Sequence, residues 1–161
     1  MTTVPLDEEI RDLMAFNNRF ELLIKHEPGH LSMELLRERV NHMQEELDEL
    51  KRAALSQDLA GQADALVDLV YVAKGTAVMM GLPWKELWNE VQLANMRKVP
   101  QTTARMRHDV VKPPGWRPPN IEGTLKSFGY DSTAWFDGNT FRQERCYDYE
   151  ASTDDHDPRG A

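Results

Sequence analysis

The chain has 161 residues, a formal net charge of −8 and a single cysteine, Cys146. This length suits one ordinary domain, and a hydrophobic content of 40% is enough to build its core. So acidic a chain is a poor match for nucleic acid, which needs a basic face, and it lacks the polybasic segments that bind anionic membranes. One cysteine excludes an internal disulfide and a cysteine-based zinc site.

The sequence carries no pattern typical of export or of membrane insertion. Residues 1–12 are rich in charge and have no apolar signal-peptide core. No run of about 18 apolar residues, the length needed to cross a bilayer, occurs in the chain. We therefore expect a cytoplasmic protein with neither a membrane nor a nucleic-acid partner.

The first third of the sequence predicts two helices separated by Pro28-Gly29. Residues 7–25 have apolar residues at helical spacing, and Asp7 can cap this helix. Ser32 can cap the second helix, which should extend to about Ala54. This helix has an apolar stripe that predicts a seam packed against another helix: Leu36, Val40, Met43, Leu47, Leu50 and Ala54.

The middle of the chain predicts the centre of a helical bundle. Residues 59–80 are the most apolar stretch, with apolar side chains on nearly every side, so this should be the buried central helix. Gly81 ends it, and Pro83 begins the next turn. A fourth helix is predicted for residues 84–98. Four helices joined by short connections describe an all-α bundle.

The composition changes after Pro100. Residues 112–119, Lys-Pro-Pro-Gly-Trp-Arg-Pro-Pro, should form an ordered extended loop, because proline removes backbone donors. Asn120 can cap a short fifth helix that ends near Phe128. We predict one domain over residues 1–129, followed by an acidic, aromatic-containing tail over residues 130–161, in which Asp137-Gly138 indicates a hairpin turn.

Acidic residues on the second and third helices form the most informative pattern. At about 100° per residue, Glu46 borders the apolar seam and Glu49 lies one step further out, while Asp48 points away. Asp64 and Asp68 share one stripe of an otherwise apolar helix. An unpaired buried carboxylate is costly, so we expect a hard divalent cation such as Mg²⁺, which prefers oxygen ligands, to neutralise these acids.

Each part of this pattern also has a simpler explanation. Residues 45–50, EELDEL, would on their own most often form a solvated helix face. Asp64 alone could be an acid near the positive end of a helix dipole. Asp68 is harder to explain in this way, because it lies in mid-helix among Val and Leu.

Three segments, taken together, resemble the all-α NTP pyrophosphatases. They are residues 45–49 (EELDE), 64–72 (DALVDLVYV) and 90–98 (EVQLANMRK). The closest likeness is to the MazG-like group of phages and bacteria, which also carries a KPxGWxPP-like segment, here residues 112–119. The resemblance covers about residues 10–129. It implies an all-α bundle of four to five helices with an irregular C-terminal extension.

The resemblance also implies roles for individual acids. Glu46, Glu49 and Asp68 would bind two or three Mg²⁺ or Mn²⁺ ions. Glu45 would orient or deprotonate the attacking water, or bind an additional metal, so Glu45 and Glu46 are the candidate catalytic residues. Many relatives have Glu three residues before the third-helix Asp. Since Ala65 occupies that position here, we assign Asp64, which lies on the same face, as the substitute ligand.

The implied activity is hydrolysis of a nucleoside triphosphate to the monophosphate and pyrophosphate by attack of a metal-activated water on the α-phosphorus. A deoxynucleotide is expected, with dGTP preferred over dUTP and dCTP on family likeness alone. The residues expected to contact the substrate are Asn95, Lys98 and Lys112, together with Asn17 and Trp116. Trp116 could stack on the base, although it would more often anchor packing.

Relatives are dimers or tetramers, so we expect a homodimer or homotetramer; a phage-encoded chain would act in the host cytoplasm. Two alternatives stay open. One is a non-catalytic dimerisation or adaptor module that uses the Leu36–Leu50 seam. The other is a phosphoribosyl-ATP pyrophosphohydrolase, although residues 112–119 point away from it.

Overall fold

A computed structural model describes residues 7–102 and 109–132. The chain divides after Asp131 into two units, and these residues belong almost entirely to the first. In chain order they form α1 (Glu8–Arg19), α2 (Met33–Leu55), α3 (Leu59–Met79), α4 (Trp84–Met96), β1 (Val99–Gln101), β2 (Asp109–Val111) and α5 (Ile121–Ser127). The all-α class predicted from the sequence is confirmed.

Local sequence explains where the helices begin. The side-chain oxygens of Asp7, Ser32 and Asn120 accept hydrogen bonds from backbone N–H groups two or three residues later, each at 3.2 Å. Each bond satisfies a donor that has no partner within its helix. These three caps are those that the sequence predicts. Asp58 caps α3 in the same way at 3.0 Å, which the sequence analysis did not anticipate.

The first helix ends at Arg19, so the predicted extension to residue 25 is wrong. Asn17 provides the competing interactions: its backbone carbonyl accepts from the N–H of Leu22 at 2.8 Å, and its side-chain amide donates to the carbonyl of Leu23 at 3.0 Å. Glu21 has a φ of 54°, a left-handed conformation that terminates a helix. The apolar residues after Arg19 therefore lie in a loop.

The second and third helices share the largest interface between described elements. The partly covered side of α2 follows steps of three and four residues: Leu36, Arg39, Met43, Glu46, Leu50 and Ala53. The predicted seam is therefore confirmed for Leu36, Met43 and Leu50 only. Val40 and Leu47 are 53% and 37% exposed, and two polar residues, Arg39 and Glu46, lie toward α3 instead. A hydrophobic pattern cannot reveal polar residues inside an interface.

The second half of α3 is mostly buried, whereas in its first half Ala65 is buried but most residues are exposed. The prediction of a helix covered on every side is therefore wrong for the first half. Residues 74–79 are buried, whereas Val67 and Leu59 are 65% and 78% exposed. The reason is that α1 packs on the second half, where Ile10, Leu13 and Val78 form a core cluster. The first half of α3 thus leaves an apolar surface open.

The turn between α3 and α4 contains Gly81 with a φ of 66°, in agreement with its predicted role at the helix end. The loop that follows α1 docks on this turn. The N–H of Lys25 donates to the carbonyl of Val78 at 3.4 Å, and that of Gly29 donates to Met80 at 2.9 Å. One end of the bundle is therefore closed by backbone contacts.

After α4 the chain forms a small antiparallel pair, in which Pro100 lies opposite Val110. The sequence did not predict it, because three-residue strands are too short to show a periodicity. Residues 112–119 are neither helix nor strand, as predicted. The predicted hairpin turn at Asp137-Gly138 lies outside the described residues.

The fourth helix ends at Met96, close to the predicted end at residue 98, and α5 packs against it. The short helix after Asn120 is confirmed. Within residues 7–102 and 109–132, no helix has by itself the length and apolarity to cross a membrane; α3 and α4 reach that threshold only as a pair joined by a 120° bend.

Candidate active site

The predicted site acids lie on the α2–α3 pair. Glu46 is on the side of α2 toward α3, and its side chain is 12% exposed, whereas the Glu49 side chain is 56% exposed. Glu45, next to Glu46 in sequence, is exposed, as are Asp64 and Asp68 on α3. The acids therefore border one interface, with Glu46 the most enclosed among them.

The electrostatics show which of these acids act on one another. Desolvation is the largest cause that raises the pKa of Glu46, followed by repulsion from Glu49 and Asp68 and, more weakly, from Glu45. His42, whose Nε2 lies 3.5 Å from Glu46 Oε1, acts in the opposite direction on this pKa. Negative charge from both helices thus converges on Glu46.

Asp64 and Asp68 differ from the expectation in one respect, since both are exposed. Neither has a hydrogen bond or an ion pair with any residue of the described ranges. The expectation that they are buried in an apolar helix is wrong, because the first half of α3 is open on this side. The repulsion of Glu46 by Glu49 and Asp68 is the feature that still favours a cation. Asp64 is not among the charges that raise that pKa, so its role as a substitute ligand stays a prediction.

The one lysine in the buried half of α3 is engaged elsewhere. Lys74 contacts the Glu9 carboxylate, lies 3.4 Å from Asp7 Oδ2, and has its Nζ 5.8 Å from the centre of the Trp84 ring. It therefore ties α3 to the start of α1 and to α4. Sequence reasoning did not find this contact, since the partners are far apart in the chain.

The chemistry of these donors suits a hard divalent cation. Carboxylate oxygens are the ligands that Mg²⁺ and Mn²⁺ prefer, and a bound cation removes the repulsion within a group of like charges. In the part of the chain that the structure describes, no three His, Cys, Asp or Glu side chains converge closely enough to hold a metal ion. The acids suit the ion in type and charge, and the assignment of Glu46, Glu49 and Asp68 as its ligands stays a prediction.

We expect Glu46→Gln to raise the thermal unfolding midpoint of the metal-free protein at neutral pH. Burial and neighbouring carboxylates raise the pKa of Glu46. The stabilisation linked to this raised pKa is complete below the ordinary Glu value of 4.5 and is lost as the pH rises through the folded-state pKa. The advantage of the variant should therefore shrink toward acid. Scanning calorimetry in chelator, from acidic to neutral pH, measures it.

Glu122→Gln is the matched control for this experiment. The hydrogen bond and the charge of Lys126 lower the pKa of Glu122. Loss of this pair should lower the unfolding midpoint at neutral pH, which is the opposite of the change expected for Glu46→Gln. The decrease should be small, because both side chains are exposed. A Glu46→Gln protein less stable than the wild type at neutral pH without metal would contradict the repulsion.

The end of α4 holds a second group of predicted site residues. Asn95 is exposed and Lys98 is half-buried there. The indole N–H of Trp116 donates to the carbonyl of Ala94 at 2.8 Å, and Lys112 Nζ lies 4.6 Å from the centre of the Trp116 ring. Trp116 thus docks the Pro-rich segment on α4, which favours the anchoring role over stacking on a base. No hydrogen bond or ion pair between described residues joins this group to the acids of α2 and α3.

Asn17, the remaining predicted substrate residue, is 2% exposed. Its side-chain amide donates to the carbonyl of Leu23 in the loop that follows α1. A buried amide that is already hydrogen-bonded to the backbone has a structural role. The geometry therefore favours that role for Asn17 over contact with a substrate.

An open cavity of about 330 Å³ lies between α1 and α3, and none of the predicted site acids lines it. Tyr71, three residues after Asp68 and about 4.5 Å further along the helix axis, forms part of its wall. Tyr71 packs edge-on against Phe16, with ring centroids 5.6 Å apart. Tyr71 lies within about 60° of Asp68 around the helix axis, and this spacing is the signal from which it could have been predicted.

The all-α bundle of the described residues is consistent with the all-α NTP pyrophosphatase superfamily. A family model described as phosphoribosyl-ATP pyrophosphohydrolase matches residues 13–95. The chain belongs to this family, since the match covers just over half of its length and includes α2, α3 and all their site acids. The family indicates a hydrolase acting on phosphoric anhydrides. No curated protein matches the chain. Lys98, Lys112 and Trp116 lie outside the matched residues.

Proposed function

We propose that the protein hydrolyses a nucleoside triphosphate to the monophosphate and pyrophosphate. The observation that carries the proposal is the convergence of negative charge from Glu45, Glu49 and Asp68 on Glu46. Membership of a pyrophosphohydrolase family supports the reaction class. The substrate is a deoxynucleotide, with dGTP preferred over dUTP and dCTP, and this preference rests on likeness to phage members of the superfamily.

In this proposal Glu46, Glu49 and Asp68 hold Mg²⁺ or Mn²⁺, with Asp64 as a further ligand. When bound, the ions screen the triphosphate charge and favour ionisation of a water molecule. Glu45 orients the attacking water and accepts its proton. The water oxygen forms a bond to the α-phosphorus, the bond from that phosphorus to the oxygen bridging it to the β-phosphorus breaks, and pyrophosphate leaves.

Residues at the end of α4 bind the leaving phosphates in this proposal. Lys98 and Lys112 supply positive charge, which stabilises the departing pyrophosphate, and Asn95 offers an amide to the nucleotide. The cavity beside Tyr71 takes the base, because its lining is largely apolar and it begins within one helical turn of Asp68.

We further propose that the protein is a homodimer or homotetramer. Val40 and Leu47, seven residues apart on the same side of α2, are both exposed, and exposed apolar surface of this kind marks an interface. Light scattering coupled to gel filtration measures the mass directly. We also propose that residues 1–129 form one domain and that residues 130–161 form an acidic tail.

Product analysis tests the activity. The protein is incubated with each canonical NTP and dNTP and with dUTP, in Mg²⁺ and separately in Mn²⁺, and the products are separated by ion exchange. We expect a monophosphate and pyrophosphate in equal amounts, with dGTP cleaved fastest. No turnover of any nucleotide in either metal would contradict the proposal and favour the helical adaptor module.

The second candidate is hydrolysis of phosphoribosyl-ATP, which the description of the matching family favours. The Pro-rich segment 112–119 argues against it, because its likeness is to the MazG-like group. Including phosphoribosyl-ATP in the same assay separates the two. A specificity constant for phosphoribosyl-ATP well above that for every dNTP would replace the first proposal with the second.

A further inference from the structure

Arg39 is placed unusually for an arginine, on the side of α2 that packs against α3. Its Nε donates to Thr76 Oγ1 at 3.1 Å, and its Nη2 donates to the Val72 carbonyl at 3.0 Å. The Thr76 hydroxyl in turn donates to the same carbonyl at 2.8 Å. The three bonds form a closed ring that joins the two helices at one point.

The surface of α3 is shaped to receive this guanidinium. Thr76 and Val72 are both buried. Between them in sequence lies Gly75, where an added Cβ would lie 3.5 Å from Arg39 Nη2. This distance is ordinary van der Waals contact, so the guanidinium lies directly against the surface of α3 at this position.

Partial burial of the charged Arg39 guanidinium without an ion pair is unfavourable in free energy. Arg39 has no ion pair with a carboxylate in the described ranges, and burial lowers its pKa. A cation bonded only to a hydroxyl and a carbonyl is a poor source of stability, since a packed apolar residue in its place is often as good or better. The ring of bonds is therefore better explained by the geometry that it imposes.

That geometry concerns the site acids directly. Arg39 lies two helical turns before Glu46 on the same side of α2, and Val72 lies one turn after Asp68 on α3. Separation or sliding of the two helices would change how the acids of α2 lie relative to those of α3, because the two sets are on different helices. Two directional bonds from a rigid guanidinium oppose both movements, whereas the single point charge of lysine does not.

We infer that Arg39 is a positioning residue that fixes the placement of α3 on α2, and thereby sets how Glu46 and Asp68 face each other. The inference rests on the proposed function, because it assigns these acids to a metal site. Arg39 acts through the helices and does not itself touch the ion. Residues that orient metal ligands typically change metal affinity by about 10–100-fold when they are replaced.

The test is Mn²⁺ binding to the full-length, metal-free protein, measured by electron paramagnetic resonance together with chemical unfolding. We expect Arg39→Lys to weaken Mn²⁺ binding about tenfold or more. Arg37→Lys is the matched control, because Arg37 is exposed on the same helix, and its affinity should equal that of the wild type. Ile10→Ala, in the α1–α3 core, should lower stability but leave Mn²⁺ affinity unchanged.

Thr76→Val is the second variant, because it removes one bond to Arg39 and keeps the shape of the side chain. It should weaken Mn²⁺ binding in the same direction, which keeps the test decisive if Arg39→Lys does not fold. If Thr76→Val, or a folded Arg39→Lys protein, binds Mn²⁺ with wild-type affinity, the positioning role of Arg39 is wrong, while the proposed metal site is unaffected. A wild-type protein that binds no Mn²⁺ would overturn the proposed metal site, and this inference with it.

Discussion

Asp68→Asn should abolish metal-dependent turnover while the protein stays folded. Asp68 is the acid of α3 whose charge reaches Glu46, so it is the residue through which α3 contributes to the proposed site. The amide keeps the size of the carboxylate but loses its charge, and it is a much weaker ligand for a hard cation. Losing one preorganised charged group of this kind lowers kcat by about 10²–10³-fold or more. Steady-state kinetics at saturating Mg²⁺ measure the loss, and Glu46→Gln should behave in the same way.

Asp48→Asn is the matched control for this result. Asp48 undergoes the same chemical change on α2, but it lies away from the site and pairs with Lys51 at 2.8 Å. Its turnover should equal that of the wild type. Circular dichroism and thermal unfolding verify that all the variants are folded. Full activity in Asp68→Asn would show that the carboxylate assignment is wrong, whatever the other variants do.

Gly81→Ala should lower the thermal midpoint by about 5–15 °C, which corresponds to roughly 2–4 kcal/mol for a chain of this size. Two costs add. Gly81 has a φ of 66°, where a Cβ costs about 1–2 kcal/mol. The added Cβ would also lie 2.2 Å from the carbonyl oxygen of Glu27. Only movement of the loop that contains Glu27 relieves this overlap, and that movement disturbs the bond from Gly29 to Met80.

Gly115→Ala separates these two costs. Gly115 also has a positive φ, of 75°, but an added Cβ there meets nothing within 4 Å. This variant should show only the backbone cost, of about 1–2 kcal/mol. Calorimetry on both variants gives the difference that belongs to the overlap with Glu27. Equal midpoints for the two variants would contradict the close approach of the Glu27 loop to the end of α3.

Where helix signals in the sequence were local, they predicted the fold well. Asp7, Ser32 and Asn120 cap the helices that were expected to follow them, because a cap depends on residues only a few positions away. The end of α1 was wrong for the opposite reason. It depends on Asn17 bonding to a loop beyond the helix, and an apolar pattern does not contain that competition.

The placement of the candidate acids was predictable in part for a related reason. Helical spacing placed Glu46 at the edge of the seam, and the structure gives it a side chain 12% exposed. The prediction that Asp64 and Asp68 are buried was wrong, because an apolar composition does not reveal which side of α3 the neighbouring helices leave exposed. Arg39 was missed because a sequence pattern treats arginine as a surface residue, and only three-dimensional packing shows its receptor on α3.

The position of an oxygen label tests the central claim most directly. The protein is incubated in ¹⁸O-labelled water with dGTP, or with whichever nucleotide it cleaves fastest, and the products are analysed by mass spectrometry. Attack of water on the α-phosphorus predicts one ¹⁸O atom in the monophosphate and none in the pyrophosphate. Label in the pyrophosphate, or release of inorganic phosphate with a diphosphate, would contradict the account.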